Sequence, residues 1–419
     1  MQTIRGTRDI LPSEIKAWQD LYIKSLKILN IYNYSEIRTP IIEPTELFLR
    51  SIGNTTDIIN KEMYSFADQG QRNITLRPEG TASIARAFIT NKLYQNNQIQ
   101  RLWYIGPMFR YERPQSGRQR QFHQLGIECI GSSSALADVE VIKIANKILK
   151  QLKCQPYKIE INSIGNQEER EQYKEELVEY IKSYKHDLDI DSKKRLETNP
   201  LRILDSKDIK TQAILQNAPC LNKYLKKESR QHFELVCEYL NTLEIPYKIN
   251  TRLVRGLDYY SNTAFEIMSD QLGSQNTICG GGRYNHLIKQ LGGPDIPAVG
   301  WAIGIERLLL LINQNKSYID PEIRFHIITS GLKAKKKVWH LINLLETNDI
   351  KFNLDLSNNS FQKQIKKANQ CNAFSCLIIG DKEIEDQTIT IKWLKEHYQE
   401  TILYNNIINY IQKKSRIVV

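Results

Sequence analysis

The sequence predicts a mixed helix-and-strand protein in two parts, a strand-rich region interrupted by a helical module and then a small α/β domain. Three observations predict it. Residues 101–131 read as two strands joined by a long basic loop, residues from about 163 to 250 turn highly charged and helix-rich, and beyond Asp320 and Pro321 strand and helix patterns alternate. A chain of 419 residues has room for about two to four domains of roughly 100–200 residues.

Taken in order, IRGTRDILP (residues 4–12) is extended and a helix follows over about 13–30, with Ser13 placed to cap it. Ile15, Trp18, Tyr22, Leu26 and Leu29 recur at helical spacing and are expected to form one buried stripe. Pro40 and Pro44 confine a strand at 34–38 to an edge or an interface. A short helix at 46–51 and strands at 63–66 and 73–76 come next, and the last runs through Arg77-Pro-Glu-Gly-Thr81 into a helix carrying Ala82, Ile84, Ala85 and Phe88. After the helical module, LVRGLDYY (253–260) leads to a strand at 264–268, a glycine cluster at 279–284, and an apolar strand-to-helix run at 298–310 that carries Arg307. The C-terminal part reads as strands 325–329, 351–355, 376–379 and 388–393 with helices 334–345, 360–369 and 404–413. Lys333, Lys335, Lys336, Lys337, Lys363, Lys366 and Lys367 gather on its first two helices, facing either a nucleic-acid backbone or solvent.

Composition narrows the function classes. With 58 Lys and Arg against 47 Asp and Glu, the chain carries a formal charge of +11, which favours a polyanionic partner. A solvated basic surface has the same composition. No apolar run approaches the roughly 20 residues of a membrane span, mean hydropathy is −0.46, and no membrane partner is expected. Residues 1–7 lack both the apolar core of a signal peptide and the Arg/Ser-rich character of a transit peptide, so the protein is expected to work where it is made. The 7 cysteines form no CxxC pair or zinc-ligand spacing; they are expected to be reduced and mostly buried, with no metal site. HExxH, EF-hand, GxSxG and Walker A sequences are absent, which removes several common enzyme classes. Heavy use of Asn, Ile and Lys points to an AT-rich genome, such as that of an endosymbiont or organelle.

Four stretches carry candidate chemistry. On the hairpin, period-2 alternation puts Met108, Arg110 and Glu112 on one face, and Gln124, Gly126 and Glu128 likewise share a face on the second strand. Gly126 leaves room for a ligand to lie on the backbone, and Arg113, Arg118 and Arg120 in the loop suit phosphate oxygens. These residues leave open a ligand floor and an ordinary hairpin with one wet face. His123, on the apolar side, is expected to be packed or at the surface. At the strand-to-helix junction, Glu79 and Thr81 with Gly80 between them suit an amine, and the helix start can present amides to an anion; the plainer alternative is a Thr81 cap with Glu79 at the surface. The glycine cluster at 279–284 implies close backbone approach, and Arg307, in apolar surroundings, needs an anionic partner or a route to water.

IRGTRDILP, LRPEGT (76–81), MFRYERPQSGRQRQFHQLGIE (108–128), LVRGLDYY and GIERL (304–308) together resemble the histidyl-tRNA synthetases, class II aminoacyl-tRNA synthetases, over essentially the whole chain. The resemblance implies a catalytic domain over 1–320 with a six-stranded antiparallel sheet flanked by helices, a tRNA-clasping helical insertion at about 163–250, and an anticodon-binding α/β domain over 324–419. It also implies a homodimer built largely on the segment through Pro40, and a location in a bacterial-type cytoplasm or, for an organelle-encoded chain, the plastid stroma.

The implied reaction joins L-histidine to ATP as histidyl-adenylate with release of pyrophosphate, then passes histidine to the 3′ end of tRNA(His). It needs no protein nucleophile, only positioning and fixed positive charge with Mg²⁺ as companion ion. By resemblance, Arg110 holds the α-phosphate and substrate carboxylate, Arg307 the γ-phosphate, Glu112 and Arg118 the adenine and phosphate regions, and Arg255 the α-phosphate from the other side. Glu79, Gly80, Thr81 and Gln124 resemble the group that binds the α-amino end of histidine, Glu128 and Tyr260 the imidazole partners, with Tyr259 beside them. Arg113 and Gln115 are placed to meet the tRNA acceptor end. Two other functions fit the same surfaces: a histidine-sensing regulatory subunit of ATP phosphoribosyltransferase, and a catalytically idle RNA-binding regulator.

Overall fold

The computed structural model describes residues 1–53, 56, 58–95, 98–115, 117–154, 156–273, 276–313, 325–357, 359–371, 373–394, 396 and 398–415. The chain divides into units Met1–Lys316 and Ser317–Val419. The change of pattern at Asp320 and Pro321 lies outside the described residues.

In the first unit the strands are β1 (Ser35–Glu36), β2 (Ile42–Pro44), β3 (Tyr64–Ala67), β4 (Asn73–Leu76), β5 (Gln100–Phe109), β6 (Gln121–Ile130), β7 (Lys158–Ser163), β8 (Lys248–Ile249), β9 (Ser261–Met268), β10 (Thr277–Arg283) and β11 (Ala298–Gly304). Eight of them form one sheet in the order β1-β5-β6-β11-β10-β9-β7-β8, while β2, β4 and β3 form a small separate sheet. The six inner strands are antiparallel throughout. The six-stranded expectation falls short by two edge ladders of two residues each, β1 parallel to β5 and β8 parallel to β7. Such short edges give little purchase for further pairing.

The back of the sheet is apolar. Trp103, Ile127, Trp301 and Phe265 follow one another across β5, β6, β11 and β9 with Gly281 of β10 between the last two, all buried. The Trp301 indole donates to the Val141 carbonyl 2.8 Å away on the covering helix Ala135–Gln151. Registers also line up the front face, where Tyr104, Gly126, Ala302, Gly280 and Glu266 make one row across five strands. Helix Thr81–Thr90 covers part of this front, packing Ile84 and Phe88 into a cluster with Tyr104, Met108, Tyr259, Tyr260 and Tyr284. The front is therefore a covered floor, and the wet-hairpin alternative is excluded.

The first helix, Pro12–Ile31, departs from expectation at both cap and stripe. Pro12 occupies its first turn and no side chain caps it, so Ser13 is not the cap; proline has no N–H to satisfy there. The buried residues are Ala17, Leu21, Ser25, Ile28 and Leu29, whereas Ile15 is exposed and Trp18, Tyr22 and Leu26 are half-buried. Ile15, Trp18 and Tyr22 border a separate cleft instead.

The inserted region forms helices Gln167–Lys182, Ile190–Thr198, Ile209–Leu215 and Lys227–Thr242 with a core of its own around Tyr173, Leu177, Ile181 and Leu196. In the second unit, β12 (Phe325–Thr329) pairs parallel with β13 (Phe352–Leu354) and β14 (Ser375–Ile379), and β15 (Thr388–Trp393) and β16 (Tyr398–Leu403) continue antiparallel. β16 was not foreseen because its YQETIL residues face mostly solvent at the sheet edge and carry little apolar alternation. The seven lysines of its first two helices are exposed.

Candidate active site

The floor row is small because its neighbours are large. A Cβ on Gly126 would stand 2.3 Å from the Tyr104 ring, and one on Gly80 2.2 Å from the same ring. Gly126 therefore accommodates a side chain of the protein and not a ligand on bare backbone, and Gly80 does the same from the helix side. Gly280 plays this part for arginine, since a Cβ there would lie 2.0 Å from the Arg255 guanidinium.

Above this floor lies a cleft of about 180 Å³ lined by Glu79, Thr81, Arg110, Glu112, Arg118, Gln124, Arg255, Tyr259, Tyr260 and Arg307 among others. Residues from five separated stretches are thus brought together. Glu128 sits beneath the lining, 1% exposed, and accepts hydrogen bonds from the Thr81 hydroxyl at 2.8 Å and from the Tyr284 hydroxyl. Arg113 and Gln115 are exposed on the connecting loop, which is closed by a bridge between Gln115 and Arg118.

The acidic end is tightly organised. Glu79 is buried and accepts from the backbone N–H groups of Thr81 and Ala82 at 2.8 and 2.7 Å, so the first amides of the helix are already used and do not await an anion. Its role is the reverse of the plainer expectation, with Glu79 as the cap and Thr81 pointing into the floor. Burial raises the Glu79 pKa against these hydrogen bonds. Burial likewise pushes Glu128 up to about 8, opposed by the Tyr284 and Thr81 hydrogen bonds and assisted by the Glu79 charge. The Tyr259 ring lies tilted against Tyr260 and edge-on to Tyr284, with ring centroids 4.7 and 5.6 Å away.

The basic end gathers four arginines. β5 stops at Phe109, so Arg110 and Glu112 lie beyond the strand, and face alternation does not place them. Arg110 is aimed by a bond from its Nε to the Pro78 carbonyl, 2.9 Å, and lies over the Phe122 ring. Arg118 pairs with Glu112 at 2.9 Å. Arg307 donates to the carbonyls of Gly117 and Thr277 at 3.1 and 3.0 Å, and its pKa is lowered first by burial and then by the like charges of Arg118 and Arg110. Burial alone would also lower Arg255, but Glu266, to which it is ion-paired, and Tyr260 hold it above the ordinary arginine value. On side chains that line this cleft, Arg118 Nε, Gln124 Oε1 and Arg255 Nε are buried without a hydrogen-bond partner among the described residues. Buried groups left so are uncommon in folded proteins, and mutually repelling guanidinium groups of this kind suit a polyanion.

The sequence reading missed Tyr104, Tyr284, Phe122 and Glu306. Tyr284 sits in the GGGRY run whose glycines were noticed, and Glu306 in GIERL. Glu306 accepts from the His123 backbone N–H and faces its Nδ1 at 2.9 Å, so His123 is packed, with Trp18 edge-on 4.9 Å away. Of the cysteines, Cys129, Cys154, Cys279 and Cys376 are buried, and all are free thiols.

Two family models match the chain, the histidyl-tRNA synthetase model over residues 6–308 and the anticodon binding domain model over residues 324–414. A chloroplastic histidine–tRNA ligase of Gracilaria tenuistipitata var. liui is 64% identical over 413 residues, covering 99% of this chain and 98% of that protein. A histidine–tRNA ligase of Cyanothece sp. is 52% identical over 410 residues, 98% and 95% of the two chains. The crystal structure of apo histidyl-tRNA synthetase from S. aureus superposes with a TM-score of 0.82 at 38% identity, covering 98% of this chain and 99% of that one. With a cleft that joins a buried acidic pocket to a cluster of arginines and with matches that run the length of the sequence, the chain belongs to the histidyl-tRNA synthetase family.

Proposed function

We propose that the cleft carries the family's reaction, the ligation of L-histidine to tRNA(His) through histidyl-adenylate, and that its two ends divide the work. The observation that carries this reading is that buried atoms of Arg118, Gln124 and Arg255, on side chains lining one cleft, have no hydrogen-bond partner among the described residues. At the acidic end, Glu79, Thr81 and Gln124 take the α-amino group, while Glu128 and Tyr260, flanked by Tyr259, take the imidazole. Gly80 acts indirectly, by admitting the Tyr104 ring. At the basic end, Arg110 and Arg255 approach the α-phosphate from opposite sides, Arg307 the γ-phosphate, and Glu112 and Arg118 the adenine and phosphate region. Attack by the histidine carboxylate on the α-phosphorus then needs only in-line placement and fixed charge, both supplied before the substrates meet.

Among the described residues no group of three His, Cys, Asp or Glu side chains is gathered to hold a metal, and the carboxylates of Glu112 and Glu266 are paired with Arg118 and Arg255. Mg²⁺ is accordingly read as arriving on the ATP phosphates, where it would supply charge neutralisation.

Arg113 and Gln115 are assigned to the tRNA acceptor end and the exposed lysines of the second unit to the tRNA backbone. Residues 1–320 form the catalytic part and 324–419 the anticodon-binding part. The chain acts as a homodimer, supported by an open apolar cleft on the first helix between Ile10, Ile15, Trp18, Tyr22, Ile23 and Ile105. The chloroplastic relative and the Asn, Ile and Lys usage support the plastid stroma, and the cyanobacterial relative fits a bacterial-type cytoplasm. The arginine cluster argues against the two non-catalytic alternatives, a histidine-sensing subunit and an idle RNA binder, neither of which needs charge at an α-phosphate. Histidine-dependent exchange of pyrophosphate into ATP by the purified protein tests the reading, and no exchange with histidine, ATP and Mg²⁺ present would overturn it.

A further inference from the structure

The segment that carries Arg255 and Tyr260 is held from behind by the helical insertion, the part of the sequence in which no motif is visible. Three insertion side chains meet alternate positions of it. Arg202 lies against Gly256, where a Cβ would stand 3.3 Å from its guanidinium. Asn199 donates to the Asp258 carboxylate at 3.2 Å, and Arg170 donates to the Tyr260 carbonyl. Arg170, Asn199 and Arg202 line a second cleft of about 250 Å³, and Arg255 and Leu257 line both it and the first cleft. The segment therefore has ligand space on one side and insertion side chains on the other.

Arg170 is the most firmly mounted of the three. It stands in the first turns of helix Gln167–Lys182, whose start is fixed by a capping box between Asn166 and Glu169. Glu169 is fully buried and also accepts from Lys226 N at 2.6 Å and Ser229 Oγ at 2.8 Å, which pins the start of helix Lys227–Thr242 to the same point. The half-buried Arg170 guanidinium has its pKa lowered by burial, so its bond to the Tyr260 carbonyl replaces water that the site has removed.

We propose that Arg170, with Asn199 and Arg202, is a positioning residue for histidine activation: through the backbone of residues 256–260 it sets the Tyr260 ring over the histidine pocket. The inference rests on the role given above to Tyr260. Arg170 touches neither substrate, so its loss acts through Tyr260 first.

Pyrophosphate exchange by the full chain, measured against histidine and ATP separately, tests this. Arg170→Ala is expected to raise the histidine KM about tenfold, roughly 1.4 kcal/mol, with the ATP KM within about twofold of wild type; Arg170→Lys, which keeps a donor for the carbonyl, recovers most of the loss. Equal changes in both KM values, no change in either, or failure of Lys to rescue would each overturn the proposal. Should Arg170→Ala not fold, Asn199→Ala bears the test with the same selective rise in histidine KM expected, and a wild-type histidine KM in that variant counts against the proposal. An inactive wild type would overturn the proposed function and this inference together, whereas an active wild type with an indistinguishable Arg170→Ala overturns this inference alone.

Discussion

The Thr81 hydroxyl donates to the Glu128 carboxylate across 2.8 Å, joining the start of a helix to a floor strand 47 residues away. Thr81→Val keeps the shape and removes the donor, leaving a buried carboxyl short of a partner. A loss of about 1–3 kcal/mol is the usual scale, so the histidine KM in pyrophosphate exchange should rise about tenfold or more while the ATP KM holds. An unchanged histidine KM would remove Thr81 from the pocket.

The Glu128 carboxyl sets a pH dependence. Its folded pKa, raised to about 8 chiefly by burial, exceeds the value of about 4.3 expected when unfolded. Between these values the folded chain holds a proton that the unfolded chain has lost. Glu128 therefore contributes stability that is full below about pH 4 and is lost as pH rises to about 8. Denaturant unfolding of wild type and Glu128→Gln across this window should show a steeper fall with pH in the wild type; parallel curves would mean that Glu128 titrates normally.

Arg255→Ala is expected to slow adenylation by about 10²–10³-fold, the scale for removing one preorganised donor, while tRNA binding largely survives. Rapid-quench adenylate formation and filter binding separate the two. Equal loss of both would indicate misfolding.

Affinity for tRNA should weaken steeply between about 50 and 200 mM salt, because lysine–phosphate contacts release counterions. A flat salt titration would contradict the use of the exposed lysines of the second unit.

Ile23, 63% exposed, borders the apolar cleft on the first helix. Ile23→Asp should shift the sedimentation of the protein toward a monomer at micromolar concentration, since a charge there would be buried unpaired in a dimer. A wild type that sediments as a monomer would end the homodimer proposal.

The sequence by itself determined a great deal here. Strand alternation in QFHQLGIECI, the strand-to-helix turn at LRPEGT and the apolar run before Arg307 were readable from local periodicity, and those stretches named Glu79, Thr81, Gln124 and Arg307, all now found around one cleft; Arg255, Tyr259 and Tyr260 were named by the family resemblance. Local pattern did not reach Arg110 and Glu112, which lie past the end of β5, nor β16 and β8, where few apolar residues mark a strand; it did mark β1, expected as an edge strand at 34–38. Tertiary structure alone decided which glycines serve which side chains, because Tyr104 meets Gly126 through strand register and Gly80 through helix packing. It alone decided that Glu128 is buried and its pKa raised, since desolvation depends on what covers a residue. Arg170, at its place behind Tyr260, lies in a helix that reads as a solvated charge run. Periodicity reports which face of an element is apolar; register and packing decide what that face meets.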